Sequence, residues 1–160
     1  MITTHLQVCV IVLNWNNAAH TVVCVKSIRE SIRALSDQAS VQIIIVDNGS
    51  SPTLAKSAPE LALAADITLV TSESNLGFSA GMNLGMQEAD QEATDAVWLL
   101  NNDTVVDRNA LRALVDFKKK HPHKALIGSV VVNSATQDLQ PVFGYKYYKY
   151  FGFASPIRTR

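Results

Sequence analysis

"WLLNNDTVVD", Trp98–Asp107, is an apolar run that stops abruptly at two carboxamides, Asn101 and Asn102, and a carboxylate, Asp103. Three side chains that want hydrogen bonds or a cation stand where a buried strand would end. Asn and Asp bond their own backbone and tolerate unusual dihedrals, so a turn is one reading. A ligand site at the carboxyl edge of a sheet is the other. The choice rests on whether other strands end the same way.

Upstream, "LQVCVIVL", Leu6–Leu13, is short, apolar and rich in β-branched residues, which predicts a strand buried on both faces. The period then changes. Val22, Val25, Ile28, Ile32 and Leu35 recur at helical spacing, with Asn17 placed to cap the start. Val41–Val46 reads as a second buried strand ending at Asp47, and Pro52 to Ala65 as a second helix with a serine cap. "DITLVTS" is a third strand, and "NLGFSAGMNLGMQEA" a Gly-bearing turn feeding a helix. "DAVWLL" is a fourth strand. Downstream, "DRNALRALVDFKKK" is a helix capped by Asp107, with Lys118–Lys120 favourably placed at its end, and "ALIGSVVV" is a fifth strand.

Strands alternating with helices predict an α/β fold, a mostly parallel sheet with helices on both faces. In such sheets ligands bind outside the carboxyl ends of the strands. Three strands end in polar clusters: Asn14-Trp15-Asn16-Asn17, Asp47-Asn48-Gly49-Ser50 and Asn101-Asn102-Asp103-Thr104. A parallel sheet puts all three on one rim, where together they make a polar floor.

Each cluster has its own chemistry. The Asp47 carboxylate can accept the imide N–H of a uracil or thymine ring, though an Asp-Asn-Gly turn into a helix needs no ligand. Asn14 and Asn16 can add base or ribose contacts. Gly77, Gly81 and Gly85 are spaced by four, which puts Gly81 and Gly85 on one helix face. Glycine costs a helix interior about 1 kcal/mol against alanine, so the repetition wants a reason. Close helix–strand packing is one, and a sugar-nucleotide at the helix start, with Asn75 and Asn83 as donors, is another. The pattern is neither GxGxxG nor GxxxxGK[ST]. Asp103 is the candidate metal ligand, because Mg²⁺ is held by one or two carboxylates plus substrate phosphates.

The 160 residues carry 14 basic and 14 acidic side chains, a balance that argues against nucleic acid as partner. Cys9 and Cys24 fall in apolar settings and read as buried hydrophobes in a reducing compartment. With no secretory pattern and no membrane-spanning run, a cytoplasmic protein is expected, with peripheral contact at the inner membrane face allowed.

The order "VIVLNWNN … IIIVDNGSS … SNLGFSAGMNLGM … VWLLNNDTVV" resembles the N-terminal, nucleotide-sugar-binding half of family 2 glycosyltransferases with the GT-A fold, in the style of the bacterial rhamnosyltransferase-like branch. The resemblance runs from about Val8 to Val132. It implies that Asp47 binds the nucleobase and that Asn14 and Asn16 line the nucleotide pocket. The Asn75–Asn83 segment, with Gly77, would lie against ribose and diphosphate. Asn101-Asn102-Asp103 would stand at the family's DxD motif, with Mg²⁺ or Mn²⁺ on Asp103. The first Asp of that motif is Asn101 here, which weakens the metal inference. The implied partners are a UDP- or dTDP-linked sugar, rhamnose among the candidates, and a cell-surface glycan or lipid-linked acceptor.

Inverting transfer needs a general base to deprotonate the acceptor hydroxyl. The family carries it in its second half, so it is expected beyond residue 160. Residues 1–135 are then the nucleotide-sugar-binding part of a truncated GT-A fold. Residues 136–160, aromatic and basic, begin an incomplete acceptor region. A non-catalytic nucleotide-sugar-binding module is the alternative. A nucleotidyltransferase ranks last, since "LNWNNAAH" lacks the glycine and lysine of a triphosphate loop.

Overall fold

Strand β1 (Leu6–Asn14) is the strand on which the sheet is built. It pairs in parallel with β2 (Ala39–Asn48) on one side and with β4 (Ala96–Asn101) on the other. β3 (Ile67–Ser72) pairs in parallel with β2, giving the order β3-β2-β1-β4. The computed structural model describes residues 5–89, 92–133, 136, 138, 145–148 and 153–156. The chain falls into two compact units, Met1–Lys119 and Lys120–Arg160.

The strands alternate between two cores, as the two-residue side-chain period requires. Val8, Val10, Val12, Ile43, Ile45 and Leu100 belong to one core. That core is completed by Cys24, Val25 and Ile28 of α1 (Ala18–Arg33) and by Leu111 and Val115 of α5 (Ala110–Lys120). Cys9, Ile11, Ile44 and Val46 belong to the other, with Met82 of α4 (Gly77–Glu88). Helices therefore lie on both faces of the sheet, as expected of a βαβ series, although Val97 and Leu99 of β4, on the α4 face, remain exposed. Cys9 and Cys24 are free and buried. Among the described residues, no helix is long and apolar enough to cross a membrane.

Two expectations about elements need correction. The helix expected over Pro52 to Ala65 is two single turns, α2 (Leu54–Ser57) and α3 (Pro59–Ala62). Pro59 lacks an N–H and restricts Ala58 before it, which is extended in φ at −146°, so the helix cannot run through. No serine caps α2; the Leu54 N–H is taken by Asp47 Oδ2. The fifth strand expected at "ALIGSVVV" is also absent. Residues 125–131 carry no strand assignment and Val132 makes an isolated bridge. Leu126 is 93% exposed, and β-branched sequence without a hydrogen-bonding neighbour makes no ladder.

The second unit contains an antiparallel pair of strands, β5 (Tyr145–Tyr148) and β6 (Phe153–Pro156), with Tyr148 opposite Phe153. The side chains of the aromatic, basic tail lie outside the described residues.

Candidate functional site at the carboxyl rim

The registers put the strand ends side by side. Asn14 faces Asp47, and Leu13 faces Asn101, so three polar clusters share one rim. At the centre is Asn14, only 1% exposed. Its amide nitrogen donates to Asp47 Oδ1 at 3.0 Å and to Ser50 Oγ at 3.0 Å. Its amide oxygen accepts from Thr21 Oγ1 at 2.8 Å and from Asn102 Nδ2 at 3.2 Å. Asn102 Nδ2 also reaches Thr21 Oγ1 and the Asn17 carbonyl, tying the β4 end to the start of α1.

Asp47 is 0% exposed. With Oδ1 held by Asn14 and Oδ2 by the Leu54 N–H at 2.6 Å, its carboxyl group joins β1, β2 and α2. Each carboxylate oxygen keeps a second lone pair, so what stands between Asp47 and a direct base contact is its burial, and the covering loops would have to move aside. Asn16 is exposed in left-handed backbone, φ 53°, and its Oδ1 accepts the Ser51 N–H at 2.8 Å. A cavity of about 130 Å³ lies between these two loops, lined by Asn14, Asn16, Asn17, Ser50, Ser51 and Ser57 among others.

The β3–α4 connection is locked to the same rim. Asn48, 2% exposed, accepts the Leu76 N–H and donates to Asn75 Oδ1 and to the Gly77 carbonyl. Gly49, at φ +74°, leaves no room for a side chain: a Cβ there would lie 2.3 Å from the Ser74 carbonyl carbon. Gly81 and Gly85 press on Leu13, Ile11 and Val46, so their spacing serves helix–sheet packing. Asn83 projects from the exposed, opposite face of α4 and is not brought to the cluster around Asn14.

Asn101 and Asp103 are exposed, with the half-buried Asn102 between them turned inward. Ser27 Oγ and Ser31 Oγ on α1 accept the Val106 and Leu111 N–H groups, which fixes the path of the chain beyond the rim. Among the described residues, the Asp103 carboxylate makes no hydrogen bond or ion pair, and no three His, Cys, Asp or Glu side chains gather to hold a metal. The donor set that fits a hard divalent cation is thus one carboxylate, to be completed by oxygens of a ligand. Burial, with the Asp103 charge adding to it, pushes the Cys24 thiol up to about 12; burial alone puts Cys9 at about 11.

Thr21 is a rim residue that sequence reading did not single out, and Asn48, Ser50 and Asn102 enter that reading only as members of the strand-end clusters, without a binding role of their own. Thr21 carried a signal, a polar residue in the apolar stripe of Cys24, Val25 and Ile28. Trp15 (54% exposed), Leu76 and Phe78 flank the rim as exposed apolar side chains.

No curated protein sequence matches the chain. Solved structures do. S. aureus TarS 1–349 aligns with TM-score 0.58 at 16% identity, covering 79% of this chain and 35% of that one. Its complex with UDP gives 0.61 at 16%, covering 83% and 40%. Its complex with UDP-GlcNAc gives 0.60 at 15%, covering 83% and 39%. The chain therefore spans at most 40% of these neighbours, and at such identity the likeness shows the fold, a GT-A-like α/β arrangement. The sequence model of the family "Glycosyl transferase family 2" matches residues 9–153. That match spans most of the sequence, and the chain belongs to glycosyl transferase family 2.

Proposed function

We propose that the rim binds the nucleotide diphosphate of an activated sugar, and that the protein takes part in inverting transfer of that sugar to a glycan or lipid-linked acceptor. The observation that carries this reading is the convergence of Asn14, Asp47, Asn75 and Asn101–Asp103 on one edge of a parallel sheet, in a family 2 chain. Structural neighbours solved with UDP and UDP-GlcNAc favour a pyrimidine nucleotide donor, UDP- or dTDP-linked. Rhamnose is the sugar we assign from the sequence motifs.

In this site Asn14 and Asp47 hold the β1 and β2 loops in register, and Asn16 and Asn75 face the nucleotide. Gly77 starts α4 next to it, and Asn83 lies further along the same helix. Asn101 and Asp103 face the diphosphate. Asp103 would hold Mg²⁺ or Mn²⁺, whose chemistry is to neutralise charge on the leaving diphosphate. Residues 1–135 supply this donor-binding part, residues 136–160 begin the acceptor region, and the general base is assigned to none of the rim residues.

Calorimetric titration with UDP and dTDP, with and without Mn²⁺, tests the reading. Saturable binding of either nucleotide is expected. Heat no larger than dilution for both, in protein shown to be folded, would end it.

A further inference from the structure

We propose that Asn48 is a positioning residue that locks the Asn75 side chain with its amide hydrogens turned outward, so that Asn75 meets the nucleotide only as a hydrogen-bond donor. The inference rests on the nucleotide-binding reading of the rim and names what one part of it selects. Its basis is that backbone groups, whose polarity is fixed, dictate both amide orientations. The Leu76 N–H is a donor and faces Asn48 Oδ1 at 3.0 Å. The Gly77 carbonyl is an acceptor and faces Asn48 Nδ2 at 3.2 Å. Asn48 therefore cannot turn over. Its second amide hydrogen goes to Asn75 Oδ1 at 3.0 Å. The Gly77 N–H reaches the same Oδ1 at 2.8 Å.

Asn75 Oδ1 is thus claimed twice from inside, and Asn75 is exposed. What it presents outward is an NH₂ group, which matches an acceptor oxygen and rejects a donor. Gly49 keeps this arrangement rigid, because its backbone sits directly against Ser74 and Asn75. An acceptor oxygen on a bound nucleoside diphosphate belongs either to the nucleoside, as a base carbonyl or ribose oxygen, or to the diphosphate.

Asn48→Asp replaces the inward NH₂ by an oxygen that faces the Gly77 carbonyl and Asn75 Oδ1. That oxygen repels Asn75 Oδ1, which keeps only the Gly77 N–H, so the outward NH₂ is no longer fixed and the Asn75 amide samples both orientations. Asn75→Asp leaves the inner contacts in place and changes only the outward atom from donor to acceptor. UDP, uridine and pyrophosphate are titrated into wild type, Asn48→Asp, Asn75→Asp, Asn75→Ala and the Asn48→Asp/Asn75→Ala pair, each checked for folding by thermal unfolding.

UDP affinity is expected to fall about tenfold in Asn75→Ala, by less than that in Asn48→Asp, and further in Asn75→Asp. In the Asn75→Ala background, Asn48→Asp is expected to add almost nothing, which a merely structural role of Asn48 does not produce. Loss with uridine places the acceptor on the nucleoside, and loss with pyrophosphate places it on the diphosphate. Undiminished UDP binding by Asn75→Asp, or equal losses from Asn48→Asp in both backgrounds, overturns the proposal. Side-chain amide exchange in the ligand-free protein separates it from the nucleotide reading. Slow exchange at Asn48 with fast exchange at Asn75 is required, and the reverse overturns the lock whether or not UDP binds. The required exchange pattern in protein that binds no nucleotide removes the nucleotide reading and, with it, the ligand assigned to Asn75.

Discussion

Asn14 and Asp47 are opposite partners in the β1–β2 register, and the Asn14 amide donates to Asp47 Oδ1 at 3.0 Å. Both side chains are buried at the point where two parallel strands end. An unpaired polar group there is costly, and a satisfied network fixes one arrangement of its neighbours. Among the described residues, no buried side-chain nitrogen or oxygen lacks a partner. The pair therefore sets the height and spacing of the loops that form the rim, leaving Asn16 and Asn75 to face outward.

Asp47→Ala tests that role. It orphans the Leu54 N–H and one Asn14 amide hydrogen, both in buried residues. Each unsatisfied donor costs about 1–3 kcal/mol, so a loss of roughly 2–6 kcal/mol is expected in urea unfolding. A loss below about 0.5 kcal/mol, the range of an ordinary surface change, would show that Asp47 does not hold the rim together.

The glycines separate by what surrounds them. Gly85→Ala puts a methyl 2.6 Å from Ile11 Cγ2 and 2.9 Å from Val46 Cγ2, branched atoms in a closed core. Overpacking of this kind costs about 1–3 kcal/mol, against about 1 kcal/mol gained in helix propensity. At Gly81 the nearest atom is Leu13 Cδ1, the free end of a side chain that can move, so Gly81→Ala is expected to cost less. Gly77 has φ +79° and open space, so Gly77→Ala should cost only about 1–2 kcal/mol of backbone strain, and Gly77→Asn less. Gly49→Ala meets both strain and the Ser74 backbone and is expected to be the most damaging of the set. Thermal unfolding of the five variants ranks them, and a Gly49→Ala protein as stable as Gly77→Ala would contradict the close approach.

The sheet was legible because its signals are local. β-Branched runs at Leu6–Leu13 and Val41–Val46 cannot be amphipathic helix, and each ends in Asn or Asp. Parallel pairing then forces those ends together. The rim's inner wiring was not legible, because it depends on register. Nothing in "VDNGS" says that Asp47 turns inward to Leu54 while Asn48 turns to the opposite side and holds residues 75–77. The break at Pro59 was readable from proline chemistry and was overridden by the apolar period around it. The run "ALIGSVVV" has strand composition, but a strand needs a neighbouring edge, and composition does not supply one.

The thiols should be inert in the native state. Burial raises Cys9 to about 11 and Cys24 to about 12, so at pH 8 each is overwhelmingly protonated as well as inaccessible. A chromogenic disulfide reagent is expected to label neither until denaturant is added, and then two thiols per chain. Labelling within minutes in native buffer would show that one of the two cores opens locally.

Arg29 holds Asp66 through two bonds, at 2.8 and 2.7 Å, between α1 and the loop before β3. The guanidinium hydrogen bond lowers the Asp66 carboxyl below its ordinary value and raises Arg29. A lowered folded value means stability that is present above the unfolded carboxylate value of about 3.9 and is lost as the pH falls through the lower folded one. Arg29 is half-buried and Asp66 exposed, so solvent screening keeps the pair to about 1 kcal/mol or less. Asp66→Asn is expected to flatten slightly the acid limb of stability against pH while leaving neutral stability within that amount. An unchanged acid limb would show that the pair is not formed in solution.

Asp103 separates binding from chemistry. Its carboxylate is exposed and without an intramolecular partner among the described residues, so Asp103→Ala should leave stability within about 0.5 kcal/mol. If Asp103 anchors the cation beside the diphosphate, Mn²⁺ strengthens UDP binding in wild type, and Asp103→Ala abolishes that strengthening while retaining the metal-free affinity. Calorimetry with and without Mn²⁺ reads both. Equal dependence on Mn²⁺ in the two proteins would move the cation away from Asp103. Slow release of nucleotide from UDP- or dTDP-sugars by wild type, lost in Asp103→Ala, would further show that the rim acts on the glycosidic phosphate bond. Donor binding with no release in either protein would favour a module that holds the sugar nucleotide without turning it over.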